Sequence, residues 1–195
     1  MWSNFTMIKL KPEETDYKVR VKRVFDATER CLEVVERLGL VEKKKAMFRR
    51  RFQVSIKSGD GAFGGCKNGI PYIKISTHCR DHNKQQWLEY LIEKDWTSPK
   101  IWREAVIAAK DNKWMFVEYS SFHKDPEIGG FLSDDPLDHV RATVAHEIAH
   151  AIHWWHIEMC GHKKSSPHGS DWRVLYRALR REWVNPLINK GNDNG

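Results

Sequence analysis

Cysteine is scarce in this chain: four in 195 residues, at Cys31, Cys66, Cys79 and Cys160. No two of them form a C-x-x-C pair, which speaks against a zinc ribbon and against a disulfide scaffold. His78, Cys79 and His82 lie close together, but no companion pair has matching metal-ligand spacing. Long hydrophobic runs are also missing. No stretch approaches the roughly 20 apolar residues that cross a bilayer. Met1-Trp2-Ser3-Asn4-Phe5 lacks the charged-then-apolar layout of a signal peptide, so a cytoplasmic or nuclear location is the expectation. No internal repeat or low-complexity tract is present, which removes solenoids and linkers from consideration.

What is present is an ordinary globular balance, 41% hydrophobic and 30% charged, long enough for one domain with its own core. Acidic residues fall short of basic ones, 26 against 33, for a net charge of +7. Most of that excess sits early: residues 1–60 carry 15 Lys/Arg against nine Asp/Glu. The run Lys43–Arg51 is its densest part. Such a segment attracts phosphate backbones through counterion release, or is simply a solvated basic face.

Val21, Val24, Phe25, Cys31, Leu32, Val35 and Leu38 recur at helical spacing and predict a long amphipathic helix over residues 17–39. Phe48, Phe52, Val54 and Ile56 suggest a strand, ended by Ser58-Gly59-Asp60-Gly61. A Gly-rich turn through Gly64, Gly65 and Gly69 precedes a second strand, Pro71–Ser76, and a third is expected at Trp114–Ser121. Helices are expected between them, in a segment of about 80–112. Strands followed by helices imply an α+β domain, with residues 184–195 a flexible tail.

The chemistry concentrates in a helix opening at Asp134-Asp135-Pro136. Asp135 suits the N-cap, Pro136 the first turn, and Asp138 a carboxylate that bonds back. Leu137, Val140, Val144, Ile148, Ala151, Ile152 and Trp155 fall within an arc of roughly 120°, and His146 and His150 project from the opposite side. The helix is therefore expected to turn its back to the core and its histidines toward a cleft. Histidines at i and i+4 lie one turn apart on one face and can share a zinc ion at about 2.0–2.1 Å. Glu147, rotated off that face, suits a general base beside the metal.

A catalytic zinc site takes three protein ligands and keeps one position open. His153 shares the histidine face but lies nearly a turn further along the same rigid helix. His156 would need a sharp glycine turn before it, and His153 stands where that glycine belongs. His168 fits better. With Gly161 as C-cap, the chain leaves the helix about 15 Å beyond His150, and residues 161–168 span up to about 26 Å when extended. His168-Gly169 then leads into Ser170, read as the N-cap of a helix with Trp172, Leu175, Tyr176, Leu179 and Trp183 on its apolar side.

HEIAHAIHWW (His146–Trp155), followed by Pro167-His168-Gly169-Ser170-Asp171-Trp172, resembles the SprT-like zinc metallopeptidase family, whose members include DNA–protein crosslink proteases. The resemblance covers residues 138–183, with a fainter likeness of Gly64-Gly65-Cys66 through Ile75 to the family's glycine-led strand. The path from Ser76 to Pro136 is longer than the family often has. The resemblance implies a zincin-like domain over residues 1–183, with a small, mostly antiparallel sheet packed on the HExxH helix and flanking helices. It also implies Zn²⁺ held by His146, His150 and His168, with Glu147 catalytic. The expected activity is peptide-bond hydrolysis, with DNA-associated proteins as one substrate class. An extended substrate would lie along a sheet edge, Trp114–Ser121 or Pro71–Ser76. Arg173, Arg177, Arg180 and Arg181 share one face of the last helix and, with Lys43–Arg51, suggest a basic track for DNA. The competing reading is a DNA-binding or regulatory module whose zinc only holds the fold; Glu147 weighs against it, because a structural site needs no base.

Overall fold

The computed structural model describes residues 17–57, 61–76, 114–116, 125–133 and 135–192. The helices expected within 80–112, the third expected strand beyond Phe116, and the group His78, Cys79 and His82 lie outside the described residues. Helix α1 (Tyr17–Arg37) forms as its periodicity requires, burying Val24, Ala27, Cys31, Leu32, Val34 and Val35. Phe25, expected on that face, is instead 43% exposed. Gly39, in the left-handed region at φ 63°, turns the chain toward a second, shorter helix, α2 (Lys45–Arg51). Phe48 therefore belongs to a helix and not to the predicted strand. It is buried with its ring edge-on to Trp155, centroids 5.3 Å apart.

Strand β1 (Gln53–Lys57) follows, then β2 (Ala62–Lys67) and β3 (Ile70–Ser76). The sheet order is β1-β3-β2, with β1 parallel and β2 antiparallel to the central β3. The fold is thus α+β, but its three-stranded sheet is mixed. β2 and β3 are joined by Asn68-Gly69, both in the left-handed region, which is the two-residue hairpin geometry that Asn-Gly favours. Gly64 and Gly65 are accordingly strand residues and not part of a turn. A separate antiparallel pair, β4 (Trp114–Phe116) with β5 (Phe131–Ser133), stacks Phe116 on Phe131 at 5.0 Å.

Helix α3 (Pro136–Cys160) is the element on which the others converge; it packs against β2, β3, α1 and the following helix. Its ends are those the sequence predicts. The Asp135 carboxylate accepts from the Leu137 N–H at 2.8 Å, and Gly161 closes the other end at φ 78°. Asp138 does not bond back to the cap; it accepts the Ser133 hydroxyl and the Arg141 guanidinium, each at 2.6 Å. The expectation of one core face and one open cleft is also corrected. From Ala142 to His156 almost every residue is buried, His146, Glu147, His150 and His153 included. The histidine side is covered by α4 (Ser170–Leu179), whose N-cap is Gly169 rather than Ser170.

A π-helical turn (Arg180–Val184) and α5 (Asn185–Asn192) are the last of the described elements. The flexible tail expected from residue 184 is therefore replaced, as far as Asn192, by helix. Its anchor is apolar: Val184 and Ile188 are buried in the common core. Among the described residues no helix is long and apolar enough to cross a membrane.

The tightest contact in this architecture lies between β2 and α3. A Cβ added at Gly64 would overlap the backbone carbonyl of Glu147, so only glycine lets the strand approach the helix so closely. Gly64→Ala should therefore cost about 1–3 kcal/mol in denaturant unfolding, as overpacking does elsewhere. An unchanged midpoint would show that the strand and helix can separate without penalty.

Candidate metal centre

Three imidazoles converge where α3 meets the loop into α4. His146 and His150 come from successive turns of α3. His168 returns to them at the end of the 161–169 loop, within the reach that chain length allows. The Nε2 atoms stand 3.2 Å (His146–His150), 3.0 Å (His150–His168) and 3.3 Å (His146–His168) apart. Nitrogens this close cannot all carry protons, because two N–H groups would point at one another. With each ring protonated at Nδ1, the three Nε2 lone pairs face one another.

That arrangement fits a metal ion. A tetrahedral zinc with bonds of about 2.0–2.1 Å has ligand–ligand edges of about 3.3–3.4 Å, and three neutral nitrogens leave one position for solvent or substrate. Among the described residues, these three histidines form one of two groups whose donor atoms could share an ion. Burial, then the neighbouring His146, His168 and His153, push the His150 imidazole down from 6.5 to about 2. A metal therefore meets little proton competition there.

Trp172 organises the three rings. Its indole lies 4.7 Å from His146, 5.0 Å from His150 in a stacked arrangement, and 4.7 Å edge-on from His168. Tyr176 backs both Trp172 and His146. The sequence placed Trp172 and Tyr176 only on an apolar helix face. The available signal was the i, i+4 spacing of His168 and Trp172 on opposite sides of a helix start.

The loop carrying His168 is fastened at several points. His153 sends Nε2 to within 2.9 Å of the Ser165 hydroxyl, which donates to Asp171 at 3.2 Å. Arg173 Nε donates to the His168 carbonyl at 3.0 Å. His153 is thus a loop anchor and not a ligand. His156, the other alternative, faces the Leu40–Glu42 segment, with the Glu42 N–H 3.4 Å from its Nε2. Glu147 follows His146 on α3, is buried, and has its backbone beneath Gly64 of β2.

The arginine face proposed as half of a basic track is not a free surface. Arg180 is 2% exposed and spends its donors on Gly129 O, Asn185 Oδ1 and the Tyr176 hydroxyl. Arg177 pairs with Asp125 at 2.6 Å and Glu127 at 3.4 Å, and Arg173 holds the His168 carbonyl. Only Arg181 stays exposed, with Glu182 beside it. These residues tie α4 and the π-turn to the 125–129 segment. In the other patch, Arg49 pairs with Glu29 and Glu36, while Lys43, Lys44, Lys45, Arg50 and Arg51 remain exposed.

Compared with protein-family models, curated proteins and solved structures, the chain matches none. The resemblance noted above therefore rests on its motif residues.

The depressed His150 pKa has a definite consequence for the metal-free protein. Unfolded, the ring binds a proton near 6.5; folded, it refuses one down to about 2. Stability from this group is complete above about pH 6.5 and declines as the pH falls from there toward 2. Burial acts in the same direction at His153 and His156. The chelated protein should lose denaturation midpoint between about pH 7.5 and pH 5.5. A midpoint flat across that interval contradicts the assignment.

Proposed function

We propose that this protein is a zinc metalloendopeptidase with a zincin-like catalytic domain, in line with its resemblance to the SprT-like family. The observation that carries the proposal is the triangle of His146, His150 and His168 Nε2 atoms at 3.0–3.3 Å, with Glu147 adjoining it on the same helix. When bound, zinc supplies Lewis acidity, polarising the scissile carbonyl and acidifying the attacking water. The three histidines hold the ion as neutral donors. Glu147 takes the proton of the water and passes it to the leaving amine. His168 is the least buried of the three proposed ligands, which supports an approach of substrate from its side.

β2 is the strand suited to receive an extended peptide. It is the outer strand of its sheet on the α3 side, with one backbone edge not taken by β3. Pro71–Ser76, named from the sequence as one edge, is the central strand, and Trp114–Phe116 pairs in the second sheet. A substrate seated along β2 passes close to Glu147, because Gly64 rests on that residue's backbone.

Glu147→Gln should keep about one bound zinc and an unchanged fold while peptide hydrolysis falls about 10²–10⁴-fold. His168→Ala should weaken zinc binding at least about 100-fold, more than loss of an outer partner costs. A Glu147→Gln protein that cleaves normally would remove Glu147 as the base, and a wild type that binds zinc yet cleaves no peptide would support the alternative, a zinc-stabilised module without peptidase activity. Full zinc affinity in His168→Ala would remove the third ligand.

DNA-associated proteins are the proposed substrates, in the cytoplasm or nucleus, and the exposed Lys43–Lys45, Arg50 and Arg51 are the proposed contact with DNA. Affinity for single-stranded DNA should then fall steeply with salt, and charge reversal at Lys43, Lys44 and Lys45 should flatten that slope by about two to three. Binding indifferent to salt would end the DNA part of the reading.

A further inference from the structure

The second group of converging donors lies at the other end of α3. His156 sits in its last full turns and His162 directly after the Gly161 cap. Glu42 comes from the segment joining α1 to α2, more than a hundred positions earlier in sequence. One donor atom from each lies within 4.8 Å of the others. His162 Nε2 is 3.0 Å from Glu42 Oε2, and the His156 and His162 rings are 5.1 Å apart.

Local backbone holds these groups in place independently of any ligand. Gly161 in the left-handed region reverses the chain, and the His162 N–H donates to the His156 carbonyl at 3.1 Å, folding His162 back over the helix end. The Trp155 indole N–H donates to Lys43 O at 3.2 Å and fixes the segment that carries Glu42. His156 is 7% exposed and forms the inner wall, while Glu42 and His162 face solvent. His156 Nε2 accepts the Glu42 N–H at a long 3.4 Å, a contact that ligation at this nitrogen replaces, and Glu42 and His162 add two adjustable donors from above.

We propose that Glu42, His156 and His162 form a second Zn²⁺ site, which clips the α1–α2 connection to the C-terminus of α3. Two imidazoles and a carboxylate are a donor set zinc accepts, with water completing the shell. The clip works by joining segments more than a hundred positions apart in sequence, with α2, the strands and α3 between them. Glu42 and His162 are exposed, whereas His146 and His150 of the first centre are buried, so ligation at the second site has to order two solvated side chains. The second site is therefore the weaker and fills after the first.

Titration of the metal-stripped full chain with zinc, followed calorimetrically, tests this directly. The wild type should take up two equivalents, the second at least tenfold weaker. Both His162→Ala and Glu42→Gln should remove the weaker equivalent and keep the tighter one, with peptide hydrolysis unchanged. His150→Ala should remove the tighter one, so failure at either centre reads out separately. A wild type that binds a single equivalent overturns the proposal; so does a second equivalent that survives in both His162→Ala and Glu42→Gln. In either case His162 and Glu42 form only an exposed hydrogen-bonded pair.

Discussion

Three imidazole nitrogens held within 3.3 Å of one another are the constraint around which the rest of the molecule is arranged. Left to themselves, buried lone pairs that close repel, and each gives up hydration to be there. The protein offsets that cost by packing. Trp172 packs against all three rings, Tyr176 backs it, and both belong to a helix pinned through Arg177 and Arg180 to the 125–129 segment. The α4 arginines are thus part of the support for His168. Their buried or paired guanidinium groups are expensive to place, and they persist because each finds carbonyls or carboxylates to satisfy it.

A second constraint comes from the opposite side of α3. The helix cannot shift away from α4 without breaking into β2, because Gly64 already rests on the Glu147 backbone. Strand, helix and aromatic clamp together fix where His146 and Glu147 lie relative to His168. This precision is what a metal centre requires, since a site on loosely held elements is a poor ligand cage. Among the described residues, the 161–169 loop that brings His168 to the centre lacks regular structure, and it is fastened by His153, Ser165, Asp171 and Arg173.

The parts of this arrangement legible in the sequence were those written in local chemistry. Asp135, Pro136 and Gly161 marked the ends of α3 because caps and αL residues act within a turn or two. His146, His150 and His168 were readable because helical spacing and loop reach leave few ways for histidines to meet. What escaped was non-local. Phe48 looked like strand because it leads into the alternating Phe52, Val54 and Ile56, yet its partner is Trp155, a tertiary contact that outweighs propensity. The parallel pairing of β1 with β3 leaves no short-range trace, whereas the Asn68-Gly69 hairpin did leave one that the nearby glycines obscured. The arginines on α4 share a face by periodicity, but periodicity cannot tell solvent from a buried carbonyl on another segment.

The claim that the three Nε2 atoms share one zinc ion is tested most directly by long-range ¹⁵N–¹H NMR correlations of imidazole rings in chain loaded with one equivalent of zinc. His146, His150 and His168 should each appear as a single fixed tautomer, protonated at Nδ1 and metal-bound at Nε2. They should keep that state on acidification until the metal leaves, all three at once. If any of the three titrates on its own while zinc remains bound, the shared centre is wrong.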